Sequence, residues 1–392
     1  MKTHIADRTN GIKPSQIRVV LGKVVELKSQ GIHITDFSIG RPDFNTPQHI
    51  IDATKEALDK GLVHYAASQG TKAFQEAVCY RYKEDYDLTV DPDDVVATVG
   101  ASQAIYAAFQ AILNPGDEIV VPEPMYVYYE GLAFLSGAKV VSVPLTLEEE
   151  FIPTAEKIEK YITPKTKAIL LTSPNNPTGQ VIEKAEIIKI AEVAVKHDLI
   201  VIADDIYNGT FYDDVDYMPI AKVPGMMERT ITIGSFSKTY AMDGWRIGYL
   251  ILPKPLFAGT LKLHQHMISC PNTFVQNGAI AALTSSQQCV KDMNAEFDRR
   301  RKLVMEHFDK NKISYVRPRG AFYVFPDLNE FNMSSQDMAM YLLNEARVAM
   351  VPGGAFGASG EGHIRVALST TYEEIGEGMV RMAAALDKLR NK

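Results

Sequence analysis

The chain has 392 residues, of which 46% are hydrophobic and 23% charged, and it carries a formal net charge of -7 at pH 7. This length predicts two unequal domains, and the composition excludes a disordered or fibrous chain. Because 48 acidic residues are intermixed with 41 basic ones, no polycationic surface is expected and nucleic acid is disfavoured as a partner.

The chain start and the scattered cysteines and histidines bear on location and metals. The first residues, MKTHIADRTN, lack the basic-then-apolar pattern of a signal peptide, and no run of ~18 uncharged apolar residues is present that would span a bilayer. We therefore expect a cytoplasmic protein with no membrane partner. The cysteines at 79, 270 and 289 have no CxxC spacing, and the HQH at 264–266 lacks an acidic or cysteine partner at ligand spacing. Buried thiols and no metal are expected.

Apolar, β-branched runs alternate with helical patterns through the middle of the chain. The runs occupy residues 93–99, 117–122, 139–145, 167–173, 198–204 and 229–235, and helical periodicity is found between them at 103–113 and 185–195. Strands rich in Val, Ile and Leu that are joined by crossover helices indicate a mostly parallel sheet covered on both faces. The sequence thus predicts an α/β fold for a large domain over residues 46–284.

The character of the sequence changes after about residue 285. Long charged helical patterns occupy residues 290–310, 335–347 and 371–391, with only short apolar runs between them. This pattern predicts a smaller α+β domain over residues 285–392, to which the N-terminal residues 1–45 contribute.

The run 229–235 leads directly into a cluster of polar side chains. Ser235, Ser237 and Lys238 stand there, and Arg246 lies eight residues beyond the lysine. Ligands of open α/β sheets bind at the carboxyl ends of the strands. Serine hydroxyls and an arginine fork suit a phosphate dianion, and a partly desolvated lysine beside another cation attacks carbonyls to form a Schiff base. A phosphorylated aldehyde meets both conditions, which indicates pyridoxal phosphate.

The other strand ends supply further groups that pyridoxal phosphate needs. Asp204 ends the run 198–204 and can keep the pyridine nitrogen protonated, as an electron sink requires. Asn176 and Tyr207 are donors for the phenolic oxygen, and Tyr207 reaches the same ring as Asp204 if the chain turns helical there. The strand-turn-helix at 99–103 offers backbone N–H groups to the phosphate, and Gly100 permits close approach.

Seven segments of the sequence carry a family resemblance. They are IGRPDF (39–44), YAASQG (65–70), SPNNPTG (173–179), ADDIY (203–207), SFSKTYAMDGWRIGY (235–249), PGGAFG (352–357) and HIRVALS (363–369). In these segments the chain resembles the fold-type I, class I/II pyridoxal-phosphate-dependent aminotransferases, and the resemblance covers essentially the whole chain. It implies a large domain with a seven-stranded, mostly parallel sheet flanked by helices, the fold of these transferases, and a smaller α+β domain.

The resemblance also implies roles in binding the cofactor. Lys238 would form the Schiff base and then move the proton between substrate and cofactor, with Asp204 on the pyridinium and Asn176 and Tyr207 on the phenolic oxygen. The remaining cofactor contacts are implied for Gly100, Ala101, Ser102, Ser235, Ser237, Arg246, Tyr126, which would stack on the ring, and Tyr65, which would reach the neighbouring subunit's phosphate. The position of Tyr65 implies a homodimer with active sites at the subunit interface.

For the substrate, the resemblance implies that Arg365 clamps the α-carboxylate and that the Gly40 amide faces it. Ile17, like Tyr126, suits an aromatic or aliphatic side chain, whereas Arg41 and Arg18 are candidates for binding a distal carboxylate.

Two details of the motifs bear on specificity and geometry. Relatives that accept dicarboxylic substrates have a lysine in the phosphate turn, where this chain has Ser102, so the preferred amino acid stays open. A cis peptide is expected at Asn176–Pro177, because a tight turn there would aim the asparagine at the ring.

The expected reaction moves the amino group of an L-amino acid to a 2-oxo acid, with 2-oxoglutarate as the expected acceptor, by ping-pong kinetics. One alternative is a β-lyase of the cystathionine β-lyase type, which keeps the cofactor but changes the reaction. The other is a non-catalytic regulator that binds the cofactor, although such regulators carry an additional DNA-binding domain for which this chain has no basic segment. NNPTGQ and SFSKTYAMDG favour the transferase.

Overall fold

The computed structural model describes residues 4–12 and 16–391. Its helices are α1 (Gln16–Ser29), α2 (Gln48–Asp59), α3 (Lys72–Tyr86), α4 (Gly100–Ile112), α5 (Tyr129–Leu135), α6 (Ala155–Glu159), α7 (Lys184–Lys196), α8 (Phe236–Thr239), α9 (Lys254–Ile268), α10 (Thr273–Thr284), α11 (Gln288–Lys310), α12 (Ser335–Ala346) and α13 (Tyr372–Arg390). Its strands are β1 (Thr35–Asp36), β2 (Val95–Thr98), β3 (Glu118–Glu123), β4 (Lys139–Pro144), β5 (Thr166–Thr172), β6 (Ile200–Asp204), β7 (Thr230–Ser235), β8 (Gly248–Ile251), β9 (Ser314–Tyr315), β10 (Tyr323–Val324), β11 (Pro326–Asp327), β12 (Val348–Ala349), β13 (Val351–Pro352) and β14 (Ile364–Ala367).

A seven-stranded sheet with the order β2-β8-β7-β6-β5-β3-β4 forms the centre of the molecule. Neighbouring strands are parallel except that β8 runs antiparallel to both β2 and β7. The predicted α/β fold with a mostly parallel sheet is therefore confirmed, and each of the apolar runs in the sequence overlaps one strand. The sequence analysis did not identify β8, because GYLI is short and follows a segment interpreted for its chemistry.

Helices cover both faces of this sheet. Successive side chains of a strand point to opposite faces. In β3, Val121 packs into the core cluster that contains Ala104 of α4, whereas Val120 packs into the cluster that contains Ile190 of α7. The near-continuous apolar strands are thus buried on both sides, as their composition predicts.

The C-terminal elements build a smaller unit beside the sheet. Strands β10, β14 and β13 form an antiparallel sheet, and β9 pairs with β11. Helices α11, α12 and α13 share one apolar cluster with β10 and β14. The N-terminal helix α1 joins this unit, because Val20 and Val24 pack against Leu343 of α12, and β1 pairs with β12. From this packing we propose a large domain over residues 46–284 and a small domain formed by residues 1–45 and 285–392.

Within residues 4–12 and 16–391, no helix is long and apolar enough to cross a membrane. In the same residues, no group of three or more His, Cys, Asp or Glu side chains is arranged to hold a metal ion. Cys79, Cys270 and Cys289 are free and half-buried, so these thiols are more accessible than the sequence analysis expected.

Candidate active site

The polar segments predicted to form a site follow neighbouring strands of the central sheet. Strand β5 ends at Thr172, β6 at Asp204 and β7 at Ser235. Because these strands are parallel neighbours, their carboxyl ends share one edge of the sheet, where ligands of such folds bind. The structure therefore places Asp204, Asn176 and Lys238 at a common edge.

Lys238 is presented by a one-turn helix that begins directly after β7. Ser235 caps this helix, since its Oγ accepts a hydrogen bond from the backbone N–H of Ser237 at 3.2 Å. Phe236 anchors the turn, because its buried ring lies 5.9 Å from the ring of Phe74 and 5.9 Å from that of Tyr249. The turn holds Lys238 against the N-terminal segment, where its Nζ donates a hydrogen bond to the carbonyl oxygen of Gly40 at 2.5 Å.

The charge state of Lys238 is altered by its surroundings. Burial lowers the pKa of the Lys238 amine to about 8, and the nearby guanidinium groups of Arg365 and Arg246 act in the same direction. Neighbouring carboxylates oppose this shift. A much larger fraction of this amine is neutral at mildly alkaline pH than of an ordinary lysine, and the neutral amine is the nucleophilic form.

Asp204 presents one carboxylate oxygen that the described residues leave unpaired. Its Oδ2 accepts a hydrogen bond from the hydroxyl of Tyr129, which also lies 2.8 Å from Thr172 Oγ1. Its Oδ1 is buried and has no hydrogen-bond partner within residues 4–12 and 16–391. Burial raises the pKa of Asp204 to about 6, against the lowering effects of the hydrogen bonds from Tyr129 and from the backbone N–H of Ile206 and of the Lys238 charge. A buried carboxylate oxygen of this kind calls for a donor from outside the chain.

Arg365 is buried, and side chains from both parts of the molecule surround it. Its Nη2 donates to the carbonyl oxygen of Ser38 at 2.7 Å, and its Nη1 donates to Oδ1 of Asn176 at 3.1 Å. The guanidinium carbon lies 4.6 Å from the ring centre of Tyr323 and 5.3 Å from that of Phe356. Its Nε is buried without a partner in the described chain. This arginine is fixed in place and retains capacity to bind an anion.

Tyr207 follows β6 in a turn rather than in the helix considered in the sequence analysis. The turn is closed by a hydrogen bond from the N–H of Asn208 to the carbonyl oxygen of Asp205 at 3.0 Å. The hydroxyl of Tyr207 lies 2.8 Å from that of Tyr323, and both side chains are buried. Burial raises the pKa of Tyr207, so it is a neutral hydroxyl donor.

The start of α4 and the segment after β7 bring several hydrogen-bond donors together in one concavity. Gly100 has φ +73°, a backbone conformation that favours glycine, and a Cβ there would lie 2.5 Å from Nη2 of Arg246, which would have to shift. The backbone pairs Gly248 with both Thr98 and Ser235, which brings the α4 N-terminus beside the serines. Backbone N–H groups at a helix start, serine hydroxyls and a guanidinium are the donors that proteins use for phosphate.

A buried histidine supports this concavity from behind. Gln103 accepts a hydrogen bond from the Val99 N–H through Oε1, so its Nε2 donates to Nδ1 of His264 at 3.1 Å. His264 Nε2 then donates to the carbonyl oxygen of Ser68 at 2.9 Å. Burial lowers the pKa of His264, which favours the neutral tautomer that this arrangement requires. His264 therefore connects the α4 turn to the segment that carries Tyr65.

The remaining predicted residues fall into two groups. Near the site, Ala101 and Ser102 lie in the first turn of α4, Tyr126 is half-buried with its ring 5.5 Å from that of Tyr129, and Ile17 packs against the cluster that contains Phe356. Away from these contacts, Arg41 and Arg18 are exposed and Tyr65 is 89% exposed. Within one chain the structure thus does not bring Tyr65 to the site.

Three residues that contact the site were missed by sequence reasoning: Tyr129, Tyr323 and His264. Tyr129 belongs to EPMYVYY, where attention fell on Tyr126, and His264 belongs to the HQH that was examined only for metals. Tyr323 stands in an apolar stretch, AFYVF, that is typical of a buried strand. Their hydroxyl and imidazole groups are significant only because of partners far away in the sequence.

One expectation about the backbone is wrong. The cis peptide bonds of the described chain are Glu123–Pro124 and Ser173–Pro174, and Asn176–Pro177 is not among them. Asn176 is instead oriented within a turn in which the Gly179 N–H donates to the carbonyl oxygen of Asn175 at 2.9 Å.

Comparison with known proteins agrees with the fold. Residues 32–382 match the family model for aminotransferase class I and II. The chain belongs to this family, and its enzyme class is that of the aminotransferases.

Among individual relatives, the chain is 41% identical to an aspartate aminotransferase of Pyrococcus abyssi, covering 97% of this chain and 98% of that protein. It is also 41% identical to aromatic-amino-acid aminotransferase 2 of Thermococcus litoralis, covering 97% of this chain and 98% of that one. The structure of a Thermus thermophilus aspartate aminotransferase with maleate is similar at a TM-score of 0.93 and 35% identity, with 97% of this chain and 99% of that chain covered.

Proposed function

We propose that this protein is a pyridoxal-phosphate-dependent aminotransferase that moves the amino group of an L-amino acid to a 2-oxo acid, with 2-oxoglutarate as the acceptor, by ping-pong kinetics. The observation that carries the proposal is the buried Lys238, whose pKa is lowered to about 8 at the carboxyl edge of the sheet. Such an amine is suited to forming an imine with an aldehyde. The enzyme class of the matched family, aminotransferase, indicates that the reaction of this amine is amino-group transfer.

The residues present fit pyridoxal phosphate. The unpaired Oδ1 of Asp204 suits a protonated ring nitrogen, and the buried Tyr207 hydroxyl suits an anionic phenolic oxygen. Ser235, Ser237 and Arg246, with the α4 start at Gly100, Ala101 and Ser102, would hold the phosphate. Tyr126 would pack on the ring, and Asn176 would contact the phenolic oxygen.

The cofactor supplies an electron sink for the carbon that loses its proton, and the chain's own groups do the rest. With the cofactor bound, the carboxylate of Asp204 would hold the proton on the ring nitrogen. Lys238 Nζ would take the proton from the substrate carbon and return it at the cofactor carbon. Arg365 binds the α-carboxylate with the Gly40 amide beside it, and this orients the bond to be broken.

The side chain of the substrate is the least constrained part of the proposal. Ile17 and Phe356 belong to one apolar cluster next to Arg365, which suits an aromatic or aliphatic side chain. Arg41 and Arg18 are exposed and available for a distal carboxylate. The relatives named above include both aspartate and aromatic-amino-acid aminotransferases. We therefore propose a broad specificity that includes both types of amino acid.

We also propose that the protein is a cytoplasmic homodimer. Tyr65 is 89% exposed, and Leu62 and Val63 beside it are 42% and 53% exposed, an apolar segment suited to contact with a second copy. In such a dimer Tyr65 would reach the phosphate bound by the other subunit.

Borohydride trapping tests this function directly. The purified full-length chain is incubated with pyridoxal phosphate, reduced with borohydride, digested and analysed by mass spectrometry. The expected result is the reduced pyridoxyl phosphate mass on Lys238. Lys238→Ala should carry no such mass and no transaminase activity, whereas Lys189→Ala, which changes an exposed lysine of α7, should behave as the wild type. Absence of the adduct from Lys238 in the wild type would refute the proposal.

A substrate panel then separates transfer from the alternatives. Aspartate, tyrosine and phenylalanine are each offered with 2-oxoglutarate, and cystathionine is offered alone. Glutamate formation supports the aminotransferase, whereas pyruvate and ammonia from cystathionine would indicate the β-lyase. A cofactor-loaded chain that turns over none of these substrates would favour the non-catalytic regulator.

A further inference from the structure

Tyr323 contacts three groups of the site but has no role in the function proposed above. It lies in β10, is 1% exposed, and belongs to the smaller unit of the molecule. Its hydroxyl lies 2.8 Å from the Tyr207 hydroxyl and 3.5 Å from the Gly40 carbonyl oxygen. Its ring centre lies 4.6 Å from the guanidinium carbon of Arg365. The groups proposed for the cofactor's phenolic oxygen and for the substrate carboxylate thus meet at this one side chain.

Each tyrosine hydroxyl has one proton to donate, and this decides which of Tyr207 and Tyr323 donates the hydrogen bond between them when the cofactor is bound. If Tyr207 donates its proton to the phenolic oxygen of the cofactor, the proton in the bond between Tyr207 and Tyr323 has to come from Tyr323. The competing acceptor, the Gly40 carbonyl oxygen, is more distant at 3.5 Å. With the cofactor bound, Tyr323 would therefore be the donor to Tyr207.

We propose that Tyr323 is a positioning residue with two separable functions: its hydroxyl makes Tyr207 a stronger donor to the cofactor's phenolic oxygen, and its ring supports Arg365 where that residue binds the substrate carboxylate. The inference rests on the proposed function. A hydrogen bond accepted by a hydroxyl strengthens the one that it donates. A guanidinium over an aromatic face is held by cation–π attraction.

The surroundings of Tyr323 indicate that its hydroxyl is not needed for packing. The ring lies 4.7 Å from that of Phe322 and 5.7 Å from that of Tyr207, and a phenylalanine would fill the same volume. The hydrogen-bond partners of the hydroxyl in the described chain are Tyr207 and Gly40, both of them residues of the site. Removing the oxygen alone therefore tests the function of the hydroxyl and leaves the ring in contact with Arg365.

Two variants of the full-length chain loaded with pyridoxal phosphate distinguish the two functions. In Tyr323→Phe the apparent pKa of the pH-dependent absorption of the bound cofactor should rise by about half to one unit, because a weaker donor to the phenolic oxygen favours the protonated form of the cofactor. The KM for the amino acid should change less than about twofold, since the ring remains. In Tyr323→Leu the KM should in addition rise roughly fivefold to thirtyfold, because Arg365 loses its aromatic support.

Tyr212→Phe is the matched control. Tyr212 is buried and donates a hydrogen bond through its hydroxyl to the carbonyl oxygen of Ala321 at 2.6 Å, two residues before Tyr323. The variant Tyr212→Phe should lower the thermal unfolding temperature about as much as Tyr323→Phe does. It should leave the pKa of the cofactor absorption unchanged. An unchanged absorption pKa in Tyr323→Phe, or an equal shift in Tyr323→Phe and Tyr212→Phe, would overturn this inference and leave the proposed function standing. A wild-type chain that binds no cofactor at Lys238 would overturn the proposed function and this inference with it.

Discussion

The hydroxyl of Tyr129 donates a hydrogen bond to Oδ2 of Asp204, and the other oxygen of the same carboxylate is buried with no partner in the described chain. Tyr129 therefore orients the carboxylate so that its free oxygen remains available. The hydrogen bond also stabilises the charged form of a group whose pKa burial raises to about 6.

Loss of this hydroxyl should make Asp204 a weaker acid. In Tyr129→Phe the pKa of Asp204 should rise by about one unit, because a hydrogen bond to a carboxylate favours the ionised form. As the pH is lowered, the variant should then lose pyridoxal phosphate at a pH about one unit higher than the wild type does. The absorption of the bound cofactor measures this loss. The control is Tyr128→Phe, which removes the hydroxyl of the exposed neighbour. If Tyr129→Phe loses the cofactor at the same acidic pH as the wild type, the orienting role of Tyr129 is contradicted.

The lowered pKa of Lys238 predicts how fast the cofactor-free protein captures pyridoxal phosphate. The rate should rise about tenfold per pH unit at low pH and level off above about pH 8, since only the neutral amine attacks. Stopped-flow absorption between about pH 6 and 10 measures this profile. A rate that still rises tenfold per unit near pH 10, the ordinary lysine range, would show that burial does not tune this amine.

Asp205, next to Asp204, predicts a pH-dependent stability. Burial raises the pKa of Asp205 to about 7, and the negative charge of Asp204 adds to this shift. A carboxyl whose pKa is higher in the folded state than in the unfolded chain stabilises the fold below the unfolded value, and this stability is lost as pH rises through the folded value. The loss should therefore occur between about pH 4 and pH 7.

Asp205→Asn tests this prediction, because the amide does not titrate. The free energy of unfolding of the variant relative to the wild type should be on the order of 2 kcal/mol more favourable at pH 8 than at pH 5, as measured by urea denaturation. Comparing two pH values cancels the effect of the amide itself. Asp214→Asn, at an exposed aspartate, is the control. Parallel stability curves for the wild type and Asp205→Asn would contradict the raised pKa.

Loss of the Arg365 side chain should weaken binding of the amino acid more than binding of the cofactor. In Arg365→Ala the KM for the amino acid should rise at least about thirtyfold, because a buried charge-assisted contact to the carboxylate is lost. Equilibrium dialysis should find pyridoxal phosphate retained. Arg41→Ala, at an exposed arginine, serves as the comparison and should raise the KM for aspartate only if Arg41 binds the distal carboxylate. Weakened cofactor binding with an unchanged KM in Arg365→Ala would contradict the carboxylate assignment.

His264 should affect binding of the phosphate group. His264→Leu removes both the acceptor for Gln103 and the donor to Ser68, so the α4 turn loses its support. The Kd for pyridoxal phosphate should rise roughly tenfold, with a smaller effect on pyridoxal, which lacks the phosphate. Fluorescence titration of the cofactor-free protein with each compound measures the difference. His266→Leu, at an exposed position two residues further along α9, is the control. Equal losses for both compounds would argue against a role of His264 at the phosphate.

Much of the fold followed from local patterns in the sequence. Runs such as DLIVIAD and RTITIGS predicted the strands β6 and β7, because burial on both faces demands nearly continuous apolar side chains. The helix boundaries at 290–310 and 335–347 also fell within two residues of the observed α11 and α12. The antiparallel β8 was missed because its four residues carry too short a pattern to indicate a strand.

For the site, too, some features followed from the sequence and others only from the tertiary structure. The sequence by itself determined which groups stand at the strand ends, including Lys238 and Asp204, because strand and turn patterns depend on adjacent residues. Only the tertiary structure decided that Tyr129 pairs with Asp204 across 75 residues, that Arg365 pairs with Asn176 across 189, and that Tyr323 lies between Tyr207 and Arg365. Such contacts depend on how separate elements pack, and no local periodicity encodes the partner of a buried hydroxyl or guanidinium.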